Sequence, residues 1–365
     1  MVNFFIREYK IMIRTSEWVS LGHPDKIADY ITSYILDKYL CFDPNVRYAL
    51  EVMIKNNDVI LAGEITSTES FKQNDYEKFV KEALRQIGYD EAYNKKWGDN
   101  AIDINKVNVQ TFISKQSPNI AQGVDNNGWG DQGIYFGYAS YDGPEMMPLD
   151  YYTAKSLGSY LYNIAKNKHI GGLDIKTQVT MDGEKPCQVI VAMPVIDIDE
   201  KEIIEGLIHN WVRLAFPEYK DVEIIFNGTG KYVIHSSIGD SGVTGRKLVV
   251  DFYGSGSRVG GGSTWGKDPT KADVALNLYA RKLAVDYAGK YDDVDFVDHV
   301  EVELSTCIGK PCTNVVYKVY GKDTLLEAKQ SNETFNVNDV IKELDLRKPI
   351  YANLCENGLF SEIKY

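Results

Sequence analysis

Residues 46–66 read VRYALEVMIKNNDVILAGEIT, and the fold class turns on this stretch. Val46, Tyr48, Leu50, Val52 and Ile54 alternate with Arg47, Ala49, Glu51 and Met53, the period of two that a half-buried strand requires. Asn56-Asn57-Asp58 supplies turn chemistry, and a second apolar run, residues 59–66, follows. The pattern predicts a hairpin, with Glu51 on the face opposite the apolar set. Glu64 falls on the second strand, where it can approach Glu51.

Helical spacing flanks the hairpin on both sides. Before it, Ile27, Ile31, Tyr34 and Ile35 recur three to four residues apart from a Pro24 placed to open a helix; after it, Phe79, Val80, Ala83, Leu84 and Ile87 do the same and Gly88 offers a stop. Further along, strands are expected at 178–181, 189–193, 222–226, 248–252, 300–305 and 314–320. Helices are expected at 202–215 and from Pro269 to about Tyr287. Hairpins mixed with helices favour α+β over a doubly wound parallel sheet. With 365 residues the chain exceeds what one core usually serves. The glycine- and asparagine-rich stretches 122–133 and 227–230 suggest an N-terminal extension (1–14) and domains at 15–121, 122–229 and 230–365.

The formal charge of -12 argues against a protein that coats nucleic acid or an anionic membrane, since both need extended basic surface. Five cysteines give no disulfide framework, and Cys307 and Cys312 lack a second pair at zinc-ligand spacing. Arg7, Glu8 and Lys10 interrupt the first apolar stretch before a signal-type core can form, and no run is long enough to span a bilayer. The expected setting is the cytoplasm, with reduced thiols.

Three segments carry chemistry. Gly22-His23-Pro24-Asp25-Lys26 places an imidazole, a carboxylate and an ammonium at a helix mouth, where backbone N–H groups favour anions. Gly260-Gly261-Gly262, followed by Lys267-Asp268-Pro269-Thr270-Lys271-Ala272-Asp273, is a glycine-rich turn feeding a helix, with cations for phosphate and a carboxylate for a hard metal. Gly239-Asp240-Ser241-Gly242 with Thr244-Gly245-Arg246-Lys247 sets cations and a carboxylate on another such turn. Taken alone, the first and third read better as a solvated cap or turn, and the glycine-rich turn reads equally well either way. No P-loop, dinucleotide fingerprint or kinase motif set is present.

Taken in order, Thr15-Ser16-Glu17, the segment from Gly22 to Asp29, Gly63-Glu64-Ile65-Thr66, Lys115-Gln116-Ser117-Pro118, Gly130-Asp131-Gln132-Gly133, Gly239 to Lys247 and Lys267-Asp268-Pro269 resemble the methionine adenosyltransferase family. The resemblance runs from about Thr15 to Pro349-Ile350-Tyr351. It implies three similar α+β domains in a pseudo-threefold arrangement. It also implies a homodimer, often paired into a tetramer, with active sites at the subunit interface. The implied reaction is attack of the methionine sulfur on C5′ of ATP, followed by hydrolysis of the released tripolyphosphate.

By the same resemblance, His23 meets the oxygen that leaves C5′, and Asp25 and Asp273 hold two Mg²⁺ ions. Arg246, Lys247, Lys267 and Lys176 bind the phosphates, Asp174 the ribose, and Lys231, Tyr232, Asp240 and Ser263 line the ATP site. Glu64, Gln116, Asp131, Asp240 and Lys271 match the methionine site, and Glu51 the K⁺ site. The resemblance also suggests that His23 and Lys267 come from one protomer, and Lys176, Arg246 and Asp240 from the other. Several positions depart from the family pattern. Lys231-Tyr232 stands for Arg-Phe, His235-Ser236-Ser237 for a Gly-Gly-Pro type turn, Ser241 for Cys, and Asn119 for Asp. Trp265 falls near a usual Phe-Ser, and the loop 116–130 is short. The first fourteen residues match nothing in the family. The competing readings are an ATP phosphotransferase, which would release ADP, and a non-catalytic homologue.

Overall fold

A computed structural model describes residues 13–115, 127–292, 294–312, 314–322 and 324–361. Its strands are β1 (Ile13–Val19), β2 (Arg47–Lys55), β3 (Asp58–Thr66), β4 (Asn108–Ser114), β5 (Gly133–Ser140), β6 (Lys176–Asp182), β7 (Lys185–Ala192), β8 (Glu223–Phe226), β9 (Gly242–Val243), β10 (His299–Thr306), β11 (Asn314–Gly321) and β12 (Thr324–Ser331). Its helices are α1 (Pro24–Leu40), α2 (Gln73–Ile87), α3 (Glu91–Trp97), α4 (Leu149–Lys168), α5 (Ile198–Ala215), the single turns α6 (Ser236–Gly239) and α7 (Leu248–Asp251), then α8 (Ala272–Ala288), α9 (Val337–Glu343) and α10 (Tyr351–Asn357).

The strands form three four-stranded sheets, ordered β4-β3-β2-β9, β1-β6-β7-β8 and β12-β11-β10-β5. Each is a hairpin extended on one side by a strand from a distant part of the chain. β9 joins β2, β1 joins β6 and β5 joins β10, all antiparallel. On the other side β4 and β8 add in parallel after helical crossovers, whereas β12 adds antiparallel. Two sheets therefore share one topology and the third varies it, which makes the fold α+β with three related units. One long helix covers each sheet: α1 on β2 and β9, α4 on β1 and β6, α8 on β5 and β10. Close approach depends on glycine at the contacts. A Cβ at Gly158 of α4 would lie 2.2 Å from the Trp18 ring, and one at Gly137 of β5 would lie 1.8 Å from the Ala280 carbonyl oxygen of α8.

Local expectations hold for α1, the β2–β3 hairpin and α2, which ends at Gly88 with φ 119°. Four differ. The run at 248–252 is a helical turn, not a strand: Asp251 N–H bonds the Lys247 carbonyl and the Asp251 carboxylate is held by Lys26, so no sheet edge is offered to its β-branched residues. The helix expected from Pro269 begins at Ala272, because Asp268 accepts bonds from Tyr48 N and Thr270 N and folds residues 268–271 into a turn against β2. α5 starts earlier than residue 202, capped by Asp197, whose side chain accepts from Glu200 N at 2.9 Å. Ile13 and Arg14, assigned above to an extension, lie in β1 opposite Asp182 and Met181.

Candidate active site

His23 caps α1, and Pro24 holds the first helical position. The ring Nδ1 accepts the Asp25 N–H at 3.2 Å, so in the neutral imidazole the hydrogen sits on Nε2. Burial, with Lys247 adding to it, pushes the His23 pKa down to about 3, so the ring stays neutral and Nε2–H stays a donor. The other charges acting on it are Asp25, Lys176 and Asp240.

Asp25 is 1% exposed. One carboxylate oxygen accepts Val243 N at 3.0 Å and lies 3.5 Å from Arg246 Nε, and the other meets Lys247 Nζ at 2.6 Å. The loop 243–247 is thus drawn over the helix mouth. It is fixed from behind by Thr244, which exchanges bonds with Val52, and by Asp29, which accepts Gly245 N at 2.8 Å where the chain turns at φ 77°. Lys176 opens β6 and its Nζ stands 3.8 Å from Glu17 on β1, an exposed pair weak enough to yield to a stronger anion. Asp174 is buried, accepts Ser236 N at 2.9 Å, and is pushed up to about 6 by burial. The Tyr232 hydroxyl lies 3.5 Å from the Asp174 carbonyl, Lys231 is exposed, and Asp240 caps the C-terminus of α6.

A second cluster forms on the glycine-rich segment. Asp273 accepts Gly262 N at 2.7 Å and Lys267 Nζ at 2.7 Å; a Cβ at Gly262 would sit 2.8 Å from the same carboxylate. Lys267 lies beside Ala49 as an added antiparallel edge of β2, flanked by Leu50 N to Gly266 O and Asp268 N to Tyr48 O. Burial raises the Glu51 carboxyl, opposed by Lys267 and Thr244. The register sets Glu51 opposite Ala62 and Glu64 opposite Ala49, so the two carboxylates are diagonal neighbours on one face. Ser263 Oγ bonds the Trp265 backbone and packs beside Gly245. Lys271 Nζ is 3.3 Å from buried Asp268. Asp131 lies in the turn before β5, its carbonyl accepting from Thr306. Gln116 and Asn119 lie outside the described residues.

The suggested division between protomers does not hold as stated. His23, Lys176, Asp240, Arg246 and Lys247 gather around Asp25 within one chain, because β9 carries the 240–247 loop onto β2 beside the mouth of α1. Four groups that sequence reasoning missed hold this arrangement: Asp29, Thr244, Ser236 and Asp251. Asp29 stood within the helix-mouth motif, at i+3 from Lys26, Thr244 within the turn that carries Arg246 and Lys247, and Ser236 within the His235-Ser236-Ser237 departure; Asp251 leaves no local signal.

Among the described residues no group of three or more His, Cys, Asp or Glu could hold a metal ion. A divalent ion bound chiefly by phosphate oxygens needs only one or two carboxylates, and Asp25 and Asp273 supply one each beside a glycine-rich or helix-mouth backbone. Each cluster sets a lysine against a carboxylate, Lys247 against Asp25 at 2.6 Å and Lys267 against Asp273 at 2.7 Å. Fold and site together define a nucleotide-polyphosphate enzyme of the α+β class.

Comparison with known proteins makes the assignment specific. Models of the S-adenosylmethionine synthetase N-terminal, central and C-terminal domains match residues 11–118, 126–232 and 234–365. The first match begins inside the segment that the sequence reading left without a family counterpart. The S-adenosylmethionine synthase of Mesoplasma florum is 36% identical, covering 96% of this chain and 95% of its own length. That of Prochlorococcus marinus is 36% identical over 92% and 88%. The structure of an unusual S-adenosylmethionine synthetase from Campylobacter jejuni superposes with a TM-score of 0.83 at 34% identity, covering 95% and 94%. The chain belongs to the S-adenosylmethionine synthetase family and is a transferase of the methionine adenosyltransferase class. Members of this family act on ATP and methionine with metal ions. No helix among the described residues is long and apolar enough to cross a membrane.

Proposed function

We propose that the methionine sulfur attacks C5′ of ATP in line: the S–C5′ bond forms, the C5′–O bond breaks with its electrons passing to the tripolyphosphate, and water then splits that chain into diphosphate and phosphate. The observation that carries this reading is the state of His23. A neutral ring whose Nδ1 is already engaged can only donate through Nε2, which suits an oxygen gaining charge as it leaves carbon. Little acid–base chemistry is required of the protein; positioning and neutralisation do most of the work.

In this reading Lys176, Arg246, Lys247 and Lys267 bind the phosphates, and Lys247 and Lys267 exchange their present carboxylate partners for phosphate oxygens. Asp25 and Asp273, freed of those lysines, hold Mg²⁺, and Glu51 holds K⁺. When bound, Mg²⁺ neutralises the phosphate oxygens of the leaving group. Asp174 takes the ribose hydroxyls, Tyr232 stacks on adenine, and Lys231, Asp240 and Ser263 complete the nucleotide site. Glu64, Gln116, Asp131, Asp240 and Lys271 receive methionine. The assembly is a homodimer that completes each site at its interface, with a tetramer as the next level, working in the cytoplasm and without nucleic acid or membrane. Incubation with ATP, Mg²⁺, K⁺ and methionine should yield equal amounts of S-adenosylmethionine, diphosphate and phosphate by mass spectrometry. ADP as the main product, or ATP breakdown independent of methionine, contradicts it.

A further inference from the structure

Behind the site lies a buried ionic group that the reaction does not itself require. Lys26 follows Asp25 on α1 and is 3% exposed. Its Nζ stands 2.6 Å from one oxygen of Asp251 and 3.2 Å from Asp29, and both carboxylates are buried. Each carboxylate spends its other oxygen on a different loop. Asp29 accepts the N–H of Gly245, the residue directly before Arg246 and Lys247. Asp251 accepts the indole N–H of Trp265 at 2.8 Å, two residues before Lys267. Trp265 is 1% exposed, and the Lys26 ammonium also sits 5.2 Å from its ring centroid.

One ammonium thus bridges two carboxylates, and through them it bridges the two cation-bearing loops. A buried charge set of this kind tolerates little displacement, because moving any member leaves another desolvated and unpaired.

We propose that Asp29 and Trp265, joined through Lys26 and Asp251, are positioning residues that fix the two cation-bearing loops, that of Arg246–Lys247 and that of Lys267, relative to each other. This rests on the phosphate-binding reading of those cations. Trp265→Phe keeps an aromatic ring beside Lys26 but removes the indole N–H that bonds Asp251. Asp29→Asn keeps an oxygen for Gly245 but removes the charge that pairs with Lys26. Because a shift of about 1 Å at a catalytic group can cost ~100-fold, kcat should fall by about 10- to 100-fold in each single variant. KM for methionine should stay within about twofold, since the expected methionine residues lie outside the group.

The decisive measurement is the double variant, with folding of all three proteins checked by thermal unfolding. If the residues act as one device, kcat of Trp265→Phe with Asp29→Asn approaches the lower single value; if they are merely structural, the two losses multiply. Multiplying losses, or an unchanged kcat in folded Trp265→Phe, overturns the proposal. Lys247→Met reports separately on the phosphate reading: full activity there refutes the cation assignment itself.

Discussion

His235 offers a sharp test of how the nucleotide side of the site is held. It is 1% exposed, with Nδ1 bonded to the Val233 carbonyl at 2.7 Å and Nε2 at 2.5 Å from the Tyr93 hydroxyl. That hydroxyl accepts Leu173 N–H, next to Asp174, so its own hydrogen points to Nε2 and the ring is neutral. Burial, with Lys96 adding to it against the Val233 carbonyl, pushes the pKa down to about 4. The unfolded chain, at about 6.5, takes the proton first. Stability contributed here is therefore full above pH 6.5, falls as pH drops from about 6.5 to 4, and levels off below. Between pH 7.5 and 4.5 the two pKa values give a loss of about 2.5 kcal/mol. His235→Phe keeps the ring contacts with Trp97 and Tyr93 but cannot titrate. Urea unfolding should show the variant weaker by about 1–3 kcal/mol at pH 7.5, because Tyr93 loses its acceptor. It should then lose about 2.5 kcal/mol less than the parent on going to pH 4.5. Equal losses in both proteins refute the buried neutral imidazole.

Three further outcomes are expected. Asp25→Asn and Asp273→Asn should cripple turnover far more than folding, and unchanged rates at saturating Mg²⁺ for both would remove the metal assignment. Tyr232→Phe should bind ATP nearly as the parent does while Tyr232→Ala binds it weakly, because the proposed contact with adenine is made by the ring; equal weakening would show the hydroxyl to be the active group. Mixed dimers of His23→Ala and Lys176→Ala should stay as inactive as the parents, since both side chains belong to one cluster of one chain and neither half-site is left whole. Recovery toward about a quarter of the parent rate, the value for one intact site in half of the dimers, would place them on opposite chains.

Local pattern was enough for α1, the β2–β3 hairpin and α2, because periodicity, turn residues and Gly88 all act over a few neighbours. It also placed His23, Asp25 and Lys26 together at the mouth of α1, since they are consecutive or nearly so. The ordered motifs likewise carried the family. Pattern says which face of a strand is buried and nothing about which distant strand covers its edge. Hence the pairing of β1 with β6, β5 with β10 and β9 with β2 was legible only in three dimensions. The same limit explains the run at 248–252, whose β-branched residues look like a strand until Lys26, 225 residues away, captures Asp251. It explains the division of the site as well: residues 23, 176 and 240–247 share one cluster because β9 docks on β2 and β6 docks on β1, and that choice is made by packing between segments far apart in the chain.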